Sequence, residues 1–167
     1  MYRDLKPENI GFDIRGDAKI FDFGIAKELL LKDKIGQDQY NISGQTGTRR
    51  YMAPEIALCK PYGLPADVYS FAILLWEILS LKMPFPKYTC EKHAKFVVLG
   101  HKRPKLSRSW PVLIKNLIKE SWSHSARSRP NLSCVYDVLR GEFSDFSSNH
   151  SVELMKRSSS SRERLRN

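Results

Sequence analysis

One stretch of the sequence, residues 65–79, is best explained as a buried helix. Pro65 and Asp67 suit the first turn of a helix, and the residues that follow are apolar on almost every helical face. These apolar residues are Val68, Phe71, Ala72, Ile73, Leu74, Leu75, Ile78 and Leu79. The run Phe71–Trp76 is far shorter than the roughly 18 apolar residues that indicate a membrane span. We therefore expect this helix at the centre of a globular domain, not in a membrane.

Helical patterns also dominate the sequence after this segment. A weaker helix is predicted over about 90–99, apolar residues recur at helical spacing up to Trp122, and an amphipathic helix follows Pro130. Near the N terminus, Ile10, Phe12 and Ile14 alternate with other residues, a turn follows at 15–17, and residues 18–21 return as a second strand. The predicted fold is therefore mainly α with one small β-hairpin.

Four polar residues flank this hairpin in a pattern that suits phosphoryl transfer. Asp4 and Lys6 are two positions apart, so their side chains point to the same side of an extended loop. A carboxylate can receive a hydroxyl proton, and an ammonium can stabilise a transferring phosphoryl group. Asn9 and Asp22 stand at the two ends of the hairpin, so its closure places two oxygen ligands for Mg²⁺ side by side.

The runs that carry these residues resemble the motifs of eukaryotic protein kinases. RDLKPEN at 3–9 resembles the catalytic loop, and Asp22-Phe23-Gly24 the turn that follows it. TGTRRYMAPE at 46–55 resembles the end of the activation segment, and Arg129-Pro130 matches a late arginine of the family. The helix DVYSFAILLWEIL is similar to that of the tyrosine-kinase-like group. The implied fold is the C-terminal lobe of a serine/threonine protein kinase, an α+β fold lacking the N-lobe.

The resemblance implies a role for each site residue. Asp4 would be the catalytic base, Lys6 would contact the transferred phosphoryl group of ATP, and Asn9 and Asp22 would bind Mg²⁺. Thr48 would reach back to Asp4 and Lys6 and help select serine or threonine, although a threonine here could also simply cap a turn. The implied cofactors are ATP and Mg²⁺, and the implied partner is a protein substrate.

The nucleotide site departs from the family pattern at Gly11. Kinases usually place a larger apolar side chain here, as the floor of the adenine pocket, and its loss should weaken nucleotide binding. Phe21 is bulky for its place and could partly fill the gap. Lys6, Asn9, Gly11, Phe21 and Asp22 are therefore the predicted cofactor-binding residues.

Three later residues have structural roles in the family. Glu55 and Arg129 are expected to form an ion pair that ties the activation segment to the helices, and Asp67 to hydrogen-bond the catalytic-loop backbone. In the polar segment before them, Ser43 and Thr46 are candidate sites for an upstream kinase. A phosphate there could order the segment by pairing with Arg3.

The resemblance divides the chain into a C-lobe over residues 1–142 and a disordered, basic, serine-rich tail over 143–167. The C-lobe comprises a catalytic loop at 1–9, an activation segment at 22–55 and a helical subdomain at 56–142. No glycine-rich loop or strand lysine precedes Asp4. Two functions stay open: an active kinase, or a truncated, inactive lobe that acts as a docking module.

The net charge, cysteines and histidines limit the kinds of partner that this chain can be expected to bind. The formal net charge of +10 invites a nucleic-acid interpretation, but no zinc finger or RNA-recognition signature accompanies it, which argues against one. Cys59, Cys90 and Cys134 are predicted to be free buried thiols of a cytoplasmic protein, with nuclear access possible. The four histidines show no metal-ligand spacing and are predicted to lie on the surface.

Overall fold

The structure, a computed structural model, describes residues 1–144. Within them lie helices α1 (Pro54–Ala57), α2 (Pro65–Ser80), α3 (Cys90–His93), α4 (Val112–Ser121) and α5, over residues 132–144. Helix α3 continues directly into a π-helical turn, Ala94–Leu99. Short 3₁₀ turns occupy Pro7–Asn9, Leu31–Asp33 and Ala126–Ser128. The mainly helical prediction is confirmed.

Helix α2 is the centre of the fold, as its sequence predicts. Its buried residues are Ala66, Asp67, Val68, Tyr69, Ser70, Ala72, Ile73, Leu74 and Trp76. Ile78 and Leu79 are exposed, however, so the C-terminal turn of the helix leaves the core. The helix then ends at Leu81, whose backbone is left-handed with a φ of 53°.

Helices α4 and α5 pack against α2 through a small apolar cluster. Val68 of α2, Leu117 of α4 and Val135 of α5 are each at most 5% exposed and lie together. Burying a side chain of this kind contributes roughly 1.5–3 kcal/mol. This packing fixes α2, and α2 in turn positions the loops described below.

The predicted hairpin is present. Strands β1 (Ile10–Phe12) and β2 (Ala18–Ile20) are antiparallel, with Ile10 opposite Ile20. Asp13 stabilises the turn, because its Oδ1 accepts the backbone N–H groups of Arg15 and Asp17 at 2.9 and 3.0 Å. The second strand ends one residue earlier than predicted.

A second hairpin lies in the predicted activation segment, where the sequence indicates no regular structure. Strands β3 (Lys34–Gly36) and β4 (Gln39–Tyr40) pair across a turn in which Asp38 has a φ of 52°. Tyr40 also exchanges backbone hydrogen bonds with Tyr62, at 2.9 and 3.3 Å. The strands are too short and polar to show an alternating pattern, and their pairing depends on this contact with a distant segment.

The predictions for the cysteines and for the start of the tail need correction. All three cysteines are free, but they are exposed and not buried. Helix α5 extends through residue 144, past the predicted start of the tail at 143, and the rest of that predicted tail falls outside the described residues. Along residues 1–144, the helices lack the combination of length and apolarity needed to cross a bilayer.

Candidate active site

Asp4 lies at the centre of the site. The residue is 9% exposed, and its carboxylate accepts hydrogen bonds from three groups. Oδ1 accepts the backbone N–H of Thr48 at 2.8 Å, while Oδ2 lies 2.8 Å from Nζ of Lys6 and 3.1 Å from Nδ2 of Asn9. Burial by itself would raise the pKa of Asp4, but the bonds from Lys6 and Thr48 outweigh it and lower the pKa. The carboxylate is therefore ionised at neutral pH.

The loop that carries Asp4 is held by the central helix. The backbone N–H groups of Tyr2 and Arg3 donate to the two carboxylate oxygens of Asp67, at 2.7 and 2.8 Å. Asp67 is only 5% exposed, so these two donors satisfy a charge that has lost most of its water. Arg3 has a left-handed backbone, with a φ of 73°. The predicted bonds between Asp67 and the catalytic-loop backbone are confirmed.

Thr48 and Lys6 close the other side of the carboxylate. Nζ of Lys6 donates to Oγ1 of Thr48 at 3.1 Å, as well as pairing with Asp4. The hydrogen bond from Lys6 to Asp4 raises the pKa of Lys6, which keeps the ammonium charged. Gly47 makes this approach possible: its φ is 104°, and a Cβ there would lie 2.3 Å from the carbonyl oxygen of Arg3. The predicted contacts of Thr48 with Asp4 and Lys6 are thus present.

Asn9 and Asp22 lie on neighbouring backbone segments, as the hairpin predicts. The N–H of Phe21 donates to the carbonyl of Asn9 at 2.9 Å. Asp22 is the next residue after Phe21, so its backbone lies close to that of Asn9. Nδ2 of Asn9 donates to both the carbonyl and the carboxylate of Asp4, which leaves its amide oxygen as the atom available to a metal. Asp22 is exposed, and its Oδ1 accepts the N–H of Gly24 at 3.1 Å.

These two oxygen donors suit Mg²⁺, which usually binds one or two protein oxygens together with substrate phosphates and water. Over residues 1–144 no three histidine, cysteine or acidic side chains converge as a self-sufficient metal site. A metal at this position would need further oxygen ligands besides Asn9 and Asp22. The donor set fits the predicted group.

Phe21 covers the position that Gly11 leaves open. A Cβ on Gly11 would lie 2.6 Å from Cε2 of Phe21, so the aromatic ring lies directly against the glycine. The neighbouring turn is packed in a similar way, because Tyr2 and Phe23 meet edge to face with their ring centroids 5.4 Å apart. The hydroxyl of Tyr2 also donates to the carbonyl of Phe21. The glycine and the bulky residue form one compensating pair.

Of the two predicted phosphorylation sites, the structure brings one to Arg3. Nη1 of Arg3 donates to Oγ of Ser43 at 3.1 Å and to the hydroxyl of Tyr62 at 3.2 Å, and its Nε donates to the carbonyl of Ile25 at 2.6 Å. Thr46 instead bonds within its own turn, for example to the carbonyl of Gly44 at 3.1 Å. Phosphorylation of either residue stays a prediction.

The predicted ion pair between Glu55 and Arg129 is confirmed, and the side chain of Arg129 is fully buried. Nη1 and Nη2 of Arg129 lie 2.6 and 2.9 Å from the two carboxylate oxygens of Glu55. The side chain of Arg129 is 0% exposed and that of Glu55 12%. Arg129 also donates to the carbonyls of Ser123 and Pro65, at 2.9 and 2.8 Å. The end of the predicted activation segment is thereby fixed to the helices.

His93 contradicts the prediction that the histidines lie on the surface. It is 3% exposed, and its ring meets Phe85 edge to face, with centroids 5.5 Å apart. Burial, with a further effect of Arg49, lowers its pKa to about 4. Nothing in the spacing of the histidines indicates this, because the burial arises where α3 packs beside the activation segment.

Comparison with known proteins agrees with this geometry. The protein kinase domain profile matches residues 1–143. The chain therefore belongs to the protein kinase family.

Among curated proteins, the serine/threonine-protein kinase STY46 of Arabidopsis thaliana is 34% identical over 140 residues, which is 84% of this chain and 23% of that protein. The dual specificity protein kinase shkC of Dictyostelium discoideum is 36% identical over 140 residues, 83% of this chain and 27% of that protein. The serine/threonine/tyrosine-protein kinase HT1 of Arabidopsis thaliana is 35% identical, over 83% of this chain and 34% of that protein. The chain thus spans between 23% and 34% of the length of these relatives.

Proposed function

We propose that this chain is the catalytic and substrate-binding part of a serine/threonine protein kinase that transfers the terminal phosphoryl group of ATP to a protein hydroxyl. One observation carries the proposal: a buried carboxylate, Asp4, receives hydrogen bonds from Lys6, Asn9 and Thr48 at 2.8–3.1 Å. Each of these partners comes from a motif that the kinase family shares. The names of the relatives support the class of reaction.

The arrangement suits Asp4 as a general base. Its lowered pKa keeps it ionised at neutral pH, and the N–H of Thr48 fixes the direction of Oδ1. A substrate hydroxyl held beside Asp4 would pass its proton to this carboxylate as the oxygen attacks. The ammonium of Lys6, already 2.8 Å from Asp4, is placed to stabilise negative charge on the transferred group.

Asn9 and Asp22 are the residues that would hold Mg²⁺, and the Gly11 and Phe21 pair would form the floor under the adenine. Bound Mg²⁺ neutralises charge on the phosphates of ATP. Phe21 offers an aromatic surface in place of the missing apolar side chain, and the residue is 51% exposed. An adenine could stack on it, which supports nucleotide binding despite the glycine.

The choice of serine and threonine rests on Thr48. Its side chain bonds Lys6 and its backbone bonds Asp4, so it borders the space that the accepting hydroxyl must enter. Two of the relatives above carry dual-specificity or serine/threonine/tyrosine names. The hydroxyl class is therefore tested directly in the experiment below.

A docking module is the second candidate, and the first hairpin favours it. Large apolar side chains are exposed on and beside this hairpin, namely Phe12, Ile14, Ile20, Phe21 and Phe23, from 46% to 105%. An apolar face of this kind marks a surface that binds another protein segment. In the kinase family this is the side on which the small lobe covers ATP. Without such a cover the chain would bind partners but transfer phosphate poorly.

The test measures phosphate incorporation into serine, threonine and tyrosine peptides in the presence of ATP and Mg²⁺. The 167-residue chain is assayed alone and in a form extended at its N terminus by a small kinase lobe. We expect transfer to serine and threonine in the extended form. Asp4→Asn should lower kcat/KM by about 100-fold or more, because general-base catalysis contributes roughly 10²–10⁴-fold.

The matched control is Asp137→Asn, which makes the same change at an exposed position of α5. It should keep the activity of the parent. Full activity of Asp4→Asn would contradict the assignment of the base. Failure of both forms to bind ATP would favour the docking module.

A further inference from the structure

A small cleft opens beside the end of the activation segment. Its volume is about 120 Å³, and its walls are formed by Thr48, Arg49, Arg50, Phe85, Tyr88 and His93. Thr48 also contacts Asp4 and Lys6, so the cleft begins one residue away from the proposed base. Anything bound in it would lie next to the group that accepts phosphate.

The charge in this cleft is positive and uncompensated. Arg49 and Arg50 are adjacent in the chain, and neither takes part in any ion pair formed within residues 1–144. An anion bound in the cleft would neutralise part of this positive charge. Guanidinium groups also match a carboxylate in shape, through paired N–H donors.

The inner wall of the cleft carries a second, independent sign of a ligand. His93 is 3% exposed, yet neither of its ring nitrogens has a hydrogen-bond partner in the described structure. A neutral imidazole presents one N–H donor and one acceptor. Buried polar groups without partners are rare in folded proteins, since each costs free energy. His93 lines the cleft, but both of its ring nitrogens are shielded from solvent, so a bound acceptor oxygen would reach the N–H of His93 after a small movement of the ring.

We propose that this cleft binds an acidic side chain of the protein substrate, one or two residues from the phosphorylated hydroxyl. Arg49 and Arg50 would pair with the carboxylate, and His93 would line its inner end. The volume of about 120 Å³ leaves room for a carboxylate and its methylene groups, since about 10–15 Å³ is enough to hold one water molecule. An extended peptide advances about 3.3 Å per residue, so a near neighbour of the hydroxyl reaches a cleft that adjoins Thr48.

This inference deepens the proposed function and rests on it, so its test measures binding and does not need turnover. Fluorescently labelled serine peptides, with a single Glu at each flanking position in turn, are titrated with the 167-residue chain. The matched peptides carry Gln at the same positions. We expect one Glu peptide to bind about tenfold more tightly than its Gln counterpart at low salt, as expected for charge-assisted hydrogen bonds.

The variant Arg49→Gln/Arg50→Gln should remove this preference, and the affinity for the Gln peptide should stay within about twofold of the parent. The control Arg108→Gln/Lys119→Gln removes two exposed charges elsewhere and should keep the preference. His93→Phe, which keeps an aromatic ring beside Phe85, should reduce the preference by about threefold or more.

Equal binding of all Glu and Gln peptides would overturn the proposal. So would a preference that survives Arg49→Gln/Arg50→Gln, or one that the control variant also loses, because net charge would then explain it. An unchanged preference in His93→Phe would exclude the imidazole from the site. If the extended form phosphorylates serine peptides without any preference for Glu, only this inference fails. If the Glu preference is found but no form transfers phosphate, only the proposed reaction fails.

Discussion

His93 should make the stability of this chain depend on pH. Burial, followed by the effects of Arg49, Arg103 and Arg50, lowers its pKa from 6.5 to about 4. Between these two values the unfolded chain binds a proton that the folded chain does not, so the free energy of unfolding rises with pH. Each pH unit in this range corresponds to about 1.4 kcal/mol, which gives about 3 kcal/mol for the whole range. The contribution is fully present above about pH 6.5 and is lost as the pH falls towards about 4.

Urea denaturation at about pH 7 and about pH 5 measures this contribution. The parent should lose about 2 kcal/mol from this residue between the two conditions. His93→Phe keeps an aromatic ring against Phe85 but cannot bind a proton, so its loss should be smaller by that amount. The pKa of His124 is also lowered, by burial and then by His101, so His124→Gln serves as the control that separates the two histidines. Equal pH dependence of the parent and His93→Phe would refute the reasoning.

Two further substitutions test the packing around the site. Glu55→Gln should lower the free energy of unfolding by about 3 kcal/mol, because the fully buried side chain of Arg129 would lose its counter-charge. Urea denaturation measures this loss, and a value below about 1 kcal/mol would contradict the prediction. Gly11→Leu should cost about 1 kcal/mol, since its Cβ displaces the half-exposed ring of Phe21. The double variant Gly11→Leu/Phe21→Ala should be less destabilised than Gly11→Leu, and an equal or larger loss would show that the two residues do not compensate each other.

The elements that the sequence predicts well are those whose signal is local. The apolar residues of α2 require burial wherever the helix lies, and the turn at Asp13 closes the first hairpin through neighbouring backbone groups. The second hairpin could not be predicted in this way. Strand β4 pairs with Tyr62, more than 20 residues further on, and a contact of this kind leaves no periodic pattern in either segment.

The same distinction explains the site. Asp4, Lys6 and Asn9 are close in the chain, so their motif alone predicts that the three side chains lie together. The burial of His93 has no such motif, because two segments far apart in the chain, residues 48–50 and 85–93, come together at the cleft that it lines.

Asp67 shows how the two kinds of information combine. Its position at the start of an apolar helix is visible in the sequence, but the reason for a carboxylate there is the catalytic-loop backbone, which donates two N–H groups to it at 2.7 and 2.8 Å. The most buried helix of the fold thus holds the loop that carries Asp4, and the ion pair of Glu55 with Arg129 holds the segment that carries Thr48. Since both supports depend on buried charged groups, moving either half of the site away from the helices would leave a buried charge without a partner that it has in the fold. The geometry around Asp4 is therefore a property of the whole helical core and not of the loop alone.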